Sequence, residues 1–174
     1  MRTRARSRRN GPGLVLLLGI FGSLGACAHY STTSGLVGGI RSVAIPVAEN
    51  ETAEYDIADL FSERLGEAFA RDGQLRVVDE ESADAVMLLR VVSLDDRPFT
   101  YTADEETEQY RFRVYIDAEL RRLADDDELL ILKGVDGWGT YDAALPDEDG
   151  RDLAIAAALD MIIDEIVDRT TASW

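Results

Sequence analysis

The spacing of apolar and polar residues predicts strands and helices that follow one another along the chain. The first predicted strand is rich in β-branched residues, and most of both of its faces is apolar, which is typical of a strand covered on both sides. Apolar residues then recur at helical spacing until an Asp-Gly stop, and two short extended segments follow. These elements are a strand over 40–47, a helix over about 54–71, and strands over 75–78 and 85–93.

Strict alternation is clearest over 109–121, where every second residue from Tyr110 to Leu120 is apolar. That pattern predicts an antiparallel strand with one covered face and one polar face. The next strand, over 129–141, contains three glycines, which indicate a β-bulge or a close backbone approach. An apolar stripe over 151–170 predicts a second helix of roughly 30 Å at 1.5 Å per residue.

This order of elements is typical of an α+β fold. We expect a mostly antiparallel four- to five-stranded sheet with two helices packed on one face, a two-layer sandwich. The folded domain is predicted to span residues 39–174.

Charge separates the N-terminus from the rest of the chain. The formal charge of the 174 residues is −16, yet residues 1–26 hold five of the 18 basic side chains and none of the 34 acidic ones. So acidic a remainder argues against nucleic acid as a partner. The apolar run 14–24 is too short to span a membrane and follows a basic segment, as in a secretory signal peptide.

Cys27 is the only cysteine of the chain, and it follows the small residues Gly25 and Ala26. The run Leu24-Gly25-Ala26-Cys27 resembles the processing box of bacterial lipoproteins, in which the thiol receives a diacylglycerol. We therefore expect a lipoprotein signal peptide at 1–26, an acylated (palmitate-type) Cys27 and a flexible tether at 27–38. The alternatives are an ordinary signal peptide and a buried N-terminal helix.

Scarcity of catalytic side chains limits the chemistry. With one cysteine and one histidine, His29, the chain lacks a disulfide framework and a Cys/His zinc cluster. Acidic clusters such as Asp95-Asp96 and 125–127 lie in predicted turns, which indicates that they are solvent-exposed residues. A carboxylate-based hydrolase would need two buried carboxylates with perturbed pKa values. We therefore expect that the protein is not an enzyme and that it binds no metal and no cofactor.

Basic side chains are few after residue 26, and some share the polar side of the predicted sheet. Arg111 and Arg113 lie on one strand, Lys133 on the next and Arg90 on the preceding one. Together they could bind an anionic lipid headgroup, because arginine binds phosphate bidentately. The alternative is cross-strand pairing with Asp117 and Glu119. Aromatic residues near predicted strand ends either close the core or contact a partner; they are Phe99, Tyr101, Trp138 and Tyr141.

The mature chain resembles the lipopolysaccharide-assembly lipoproteins, the LptE family. The resemblance begins at 40–52 (IRSVAIPVAENET), continues through 73–78 (GQLRVV) and includes the Ala83-Asp84 pair. Its most specific motifs are IP-x-x-x-N, from Ile45 to Asn50, and the Ala-Asp pair. The resemblance covers nearly all of the mature chain.

The resemblance implies an outer-membrane lipoprotein without enzymatic activity. Such a protein plugs a large β-barrel partner, LptD, and supports its folding and the passage of lipopolysaccharide to the cell surface. It also implies lipopolysaccharide as a ligand, for which Arg111, Arg113 and Lys133 are the candidate contacts. Residues 43–78 look in addition like the start of TolB-amino-terminal or CsgG-type domains, so a module of an envelope or secretion complex is the alternative.

Overall fold

Two helices and six strands make up the computed structural model, which describes residues 37–144 and 148–172. Short 3₁₀ turns at Val37–Gly39 and Glu80–Ser82 complete the regular structure. The strands and helices are β1 (Ser42–Ala44), β2 (Glu49–Asn50), α1 (Ile57–Asp72), β3 (Arg76–Val77), β4 (Ala85–Tyr101), β5 (Thr107–Arg122), β6 (Glu128–Asp142) and α2 (Glu148–Thr171).

The sheet is mixed, with six strands in the order β3-β1-β4-β5-β6 and β2 also paired with β4. Only β4, β5 and β6 run antiparallel. β1 pairs in parallel with both β3 and β4, and β2 pairs in parallel with β4. The α+β class is therefore confirmed, but the expectation of a mostly antiparallel four- to five-stranded sheet matches only roughly. A helix that connects two strands allows both strands to run in the same direction. Helix α1 is such a connection between β2 and β3.

Pro46 separates β1 from β2 along the same edge of β4. β1 ends two residues before Pro46, and the pairing with β4 resumes at Glu49. Proline has no N–H to donate to a neighbouring strand. The N–H of Ala48 donates instead to the buried Ser62 hydroxyl of α1 at 2.8 Å, and that hydroxyl donates to the Ala58 carbonyl. The interruption thus ties the sheet to α1.

β4 continues to Tyr101, well past the predicted end at Ser93. The prediction of a turn at Asp95-Asp96 is wrong, because both carboxylates have partners within the sheet layer. Asp95 lies opposite Arg113 in the register and pairs with Arg97. Asp96 accepts a hydrogen bond from the Tyr141 hydroxyl at 2.9 Å.

Both helices pack on the same face of the sheet and cover its apolar side. Alternate residues of β5, from Phe112 to Leu120, are buried together with Phe61 and Leu65 of α1 and with Leu159 of α2. None of the helices between residues 37 and 172 combines the length and the apolar character needed to cross a membrane.

Glycines in β6 play two roles, a bulge and a close backbone approach, which the sequence offered as alternatives. Gly134 has a φ of 62° in a bulge where Lys133 and Gly134 lie across from Asp117. Gly137 and Gly139 face α2, and a Cβ on either one would overlap the helix backbone, at Ala158 or Ala154 respectively. The missing side chains let α2 lie unusually close to β6.

The two most specific motifs of the family resemblance organise loops. The Asn50 side chain accepts a hydrogen bond from the Thr52 N–H at 2.9 Å and donates to the Glu54 carbonyl at 2.8 Å, which shapes the turn before α1. Asp84 accepts from the N–H groups of Arg41 and Ser42 at 2.8 and 3.0 Å, and from the Ser42 hydroxyl at 3.0 Å. It holds the start of β1 against the start of β4.

Asp84 gives a testable pH dependence. Hydrogen bonds from the Arg41 backbone and the Ser42 side chain lower the pKa of the Asp84 carboxyl. Its contribution to stability is therefore present above the unfolded-state pKa of about 3.9 and is lost as the pH falls through the lower folded-state pKa. We expect Asp84→Ala to reduce the free energy of unfolding by about 1 kcal/mol at neutral pH. The loss is no larger because solvent screens the interactions of the exposed Asp84 carboxylate.

Urea unfolding of the parent and of Asp84→Ala from neutral pH to below pH 4 measures this effect. The difference between the two proteins should shrink at the acidic end. Glu63→Gln, an exposed change on α1, serves as the matched control. A difference that stays constant with pH would show that the Asp84 charge does not contribute.

Candidate functional site on the outer face of the sheet

The outer face, defined as the side of β4, β5 and β6 opposite the helices, carries most of the sequence-predicted site residues. On β5 it presents Arg111, Arg113, Tyr115, Asp117 and Glu119, all half-buried. The register places the outer residues of β4 and β6 on either side of them. The described helices leave this face open.

Asp117 is the centre of an ion cluster. Its carboxylate accepts hydrogen bonds from Arg90 at 2.9 Å, from the Gly134 N–H at 2.9 Å and from Lys133 at 3.4 Å. Burial opposes ionisation, but these three donors outweigh it, so the pKa of Asp117 lies below its ordinary value. Arg90 also lies 3.4 Å from Glu51. The sequence offered cross-strand pairing with Asp117 as the alternative to a lipid site. That pairing is confirmed for Arg90 and Lys133, whose positive charges the Asp117 carboxylate compensates.

Arg111 has aromatic rather than acidic neighbours. Its guanidinium carbon lies 3.5 Å from the centroid of the Phe99 ring and 4.7 Å from that of Trp138. The Nε atom of Arg111 is buried and has no hydrogen-bond partner among the described residues. We call Phe99, Arg111 and Trp138 the aromatic–arginine patch. Both rings stay partly exposed, at 42% for Phe99 and 39% for Trp138.

The three candidate lipid contacts share one face but do not form one cluster. Arg113 lies next to the patch and pairs with Asp136 at 3.4 Å. Lys133 lies beside Asp117, six positions along β5 from Arg111, which is about 20 Å at 3.4 Å per residue. Cys27, the predicted lipidation site, lies outside the described residues.

A polar cluster on the helix side of the sheet escaped prediction. Arg151 of α2 lies 2.8 Å from Glu54 and 3.4 Å from Asp96, and its guanidinium is 4.8 Å from the Phe112 ring. Burial, the hydrogen bond to Asp96 and the negative charge of Asp96 raise the pKa of the Tyr141 hydroxyl to about 12. The sequence signal was an isolated Arg151 beside acidic residues, whose partners lie far along the chain. The cluster fastens the start of α2 to β4 and to the turn before α1.

Acidic side chains are not gathered for metal binding in the part of the chain that the structure describes. No three or more His, Cys, Asp or Glu residues within it are placed to hold an ion. The clusters at 79–81, 104–106 and 125–127 occupy turns or a 3₁₀ turn, as predicted. The outer face presents charged side chains and partly exposed aromatic rings, which are groups suited to binding.

Comparison with known proteins links the chain to a family. The model of the family LptE, described as lipopolysaccharide-assembly, matches residues 40–170. The search of curated proteins returned no match.

Similar folds occur among solved structures. The hypothetical protein CT253 from Chlamydia trachomatis has a TM-score of 0.51 and 10% identity, with 74% of this chain and 94% of that chain covered. Protein XCC0632 from Xanthomonas campestris has a TM-score of 0.51 and 12% identity, with 75% and 83% covered. The rare lipoprotein B from Shewanella oneidensis has a TM-score of 0.41 and 17% identity, with 74% and 96% covered. At these identities the likeness to the first two structures, whose TM-scores exceed 0.5, concerns the fold alone.

Proposed function

The chain belongs to the LptE family of lipopolysaccharide-assembly proteins, and on that premise we propose that it is a non-enzymatic outer-membrane lipoprotein that plugs an LptD-type β-barrel. The single observation that carries the proposal is the family match over residues 40–170. In this role the protein acts by supporting assembly of the barrel and the passage of lipopolysaccharide through it.

The open outer face supports this role. A protein enclosed by another needs surface that its own helices leave free. Here the two described helices leave uncovered one side of a sheet whose long strands have 15 to 17 residues. That side mixes ion pairs with exposed aromatic rings. The interior of an outer-membrane barrel is polar and accommodates charged side chains, so a strongly acidic domain fits there.

Attachment to the membrane is proposed to occur through Cys27. The expected signal peptide at 1–26 would be removed, and the acylated thiol would hold the domain at the periplasmic side of the outer membrane. Val37–Gly39, where the described part of the chain begins, lies at the end of the sheet where β5 ends, since Arg122 donates to the Gly38 carbonyl at 3.0 Å. The tether would therefore join the domain at that end.

Direct contact with lipopolysaccharide through Arg111, Arg113 and Lys133 is the part of the proposal that the geometry supports least. Arg113 and Lys133 already pair with Asp136 and Asp117. A phosphate would have to compete with these carboxylates for both cations. Equal binding of lipopolysaccharide by the parent and by the triple alanine variant would make the three side chains structural.

Purification from detergent-extracted outer membranes tests the plug role. We expect a tag on this chain to recover a large β-barrel in a stoichiometric complex, identified by mass spectrometry. An interior contact is extensive, so the complex should survive the extraction. Recovery of the lipoprotein alone would contradict the proposal. Recovery of a ring of pore-forming subunits or of another envelope complex would favour the TolB-amino-terminal or CsgG-like alternative.

A further inference from the structure

The aromatic–arginine patch has the composition of an interaction hot spot. Tryptophan, tyrosine and arginine are over-represented among residues that dominate binding energy at protein interfaces. Trp138 and Phe99 are partly exposed, and Tyr101 beyond them is 59% exposed. Three large aromatic side chains thus remain accessible at the far end of β4 and β6, on a domain with an otherwise strongly acidic sequence.

Arg111 differs from most basic residues of this domain in its charged surroundings. Nine of the thirteen basic side chains after residue 26 lie within 4.0 Å of a described carboxylate. Arg111 is one of the other four, and its register neighbours are Arg97 on β4 and Thr140 on β6. Within residues 37–144 and 148–172, no carboxylate is paired with the Arg111 guanidinium at 4.0 Å or less. In a chain with so large an excess of carboxylates, such a cation suits a carboxylate on another molecule.

The two rings also fix the orientation of the guanidinium. Arginine stacks well on aromatic faces because it is planar and weakly hydrated. Because its guanidinium already lies against both the Phe99 and the Trp138 rings, the side chain loses little further freedom when it binds. The planar group can then offer its terminal N–H groups as a fork that fits one carboxylate.

The patch lies far from the point at which the chain enters the domain. Arg122, which contacts Gly38, is eleven positions from Arg111 on β5, or about 37 Å at 3.4 Å per residue. The aromatic exposure is therefore at the end of the sheet away from the proposed attachment of the tether.

We infer that the aromatic–arginine patch is a docking site for a polypeptide segment of the barrel partner, one that presents an aspartate or glutamate to Arg111 and apolar side chains to Phe99 and Trp138. This inference rests on the proposed plug function and adds the part of the domain that makes the contact.

The test uses the full-length lipoprotein in its membrane complex. The tagged chain carries Arg111→Ala or Trp138→Ala, and the fraction of barrel retained is measured after washes from about 0.1 to about 0.5 M salt, which screen exposed charges. We expect each variant to retain about tenfold less barrel at the highest salt, as for a hot-spot residue. Arg97→Ala is the matched control, because Arg97 is the register partner of Arg111 on the same face but pairs with Asp95.

A second measurement leaves the patch intact. A photo-reactive residue replaces Thr140, which lies opposite Arg111 in the register, and another replaces Met161, which is exposed on α2. Irradiation should join position 140 to a barrel peptide that contains an acidic residue. The yield from position 161 should be much lower.

Two results would overturn the inference while leaving the plug function intact. One is barrel retention by Arg111→Ala and Trp138→Ala equal to that of Arg97→Ala. The other is capture of lipopolysaccharide, instead of the barrel, at position 140, which would make the patch a lipid site. If the parent chain itself recovers no barrel, the proposed function fails and this inference fails with it.

Discussion

Gly137→Ala is expected to destabilise the domain by about 3 kcal/mol, at the upper end of the usual cost of overpacking. A Cβ on Gly137 would overlap the backbone carbonyl of Ala158 and come within 2.9 Å of the Ile162 side chain. A flexible side chain could turn away, but a helix backbone cannot move alone. α2 would have to shift as a unit, and the buried contacts of Leu159 and Ile162 would loosen with it.

Thermal and urea unfolding of Gly137→Ala measure this loss. A change of about 3 kcal/mol corresponds to a fall of roughly 10 °C in Tm for a domain of this size. Gly66→Ala is the matched control, since Gly66 lies inside α1 and a Cβ there meets nothing within 4 Å. That variant should be neutral or more stable by up to about 1 kcal/mol, because alanine favours a helix. Parent-like stability of Gly137→Ala would show that β6 and α2 are not in tight contact.

Cys27→Ser is expected to move the protein from the membrane fraction to the soluble periplasmic fraction almost completely, on the proposal that Cys27 is acylated. Each buried CH₂ of an acyl chain contributes about 0.8 kcal/mol, so two or more chains give lasting attachment, and their loss removes it. None of the helices that the structure describes could replace the anchor by crossing the bilayer.

Fractionation and mass spectrometry of the intact protein measure the anchoring. Ala28→Ser, next to Cys27, is the control and should remain in the membrane with the mass expected for the acylated form. An unmodified Cys27 in the parent would refute the lipoprotein assignment. Cys27→Ser that stays in the membrane after a salt wash would show attachment through a protein partner instead, and that variant would still co-purify with the barrel.

The sequence revealed the family through residues that shape local structure. Asn50 and Asp84, the most specific positions of the resemblance, make hydrogen bonds that set a turn and join two strands. Such side chains form hydrogen bonds with backbone groups. Their positions in the sequence are therefore constrained, and the pattern can be recognised. The assignment to the LptE family is confirmed, whereas barrel contact, outer-membrane location and lipopolysaccharide binding remain proposals.

Site residues were harder to predict because the chemistry depends on which residues face each other. Arg111, Arg113 and Lys133 were correctly placed on adjoining strands. The residues with which they pair depend on the register between β5 and β6. The bulge at Gly134 shifts that register and places Lys133 beside Asp117. The role of Phe99 beside Arg111 depended on the extension of β4 beyond the predicted end at Ser93.

The sequence by itself determined the α+β class, the meander of β4, β5 and β6, the two amphipathic helices and the presence of a bulge or close approach at the β6 glycines. These follow from periodicity and backbone chemistry, which act over a few residues. Only the tertiary structure decided the parallel pairing of β1, β2 and β3, the strand character of Asp95-Asp96 and the separation of Arg111 from Lys133. Each of these depends on partners dozens of residues away, and the chain forms such pairs only once α1, β4 and β6 have come together.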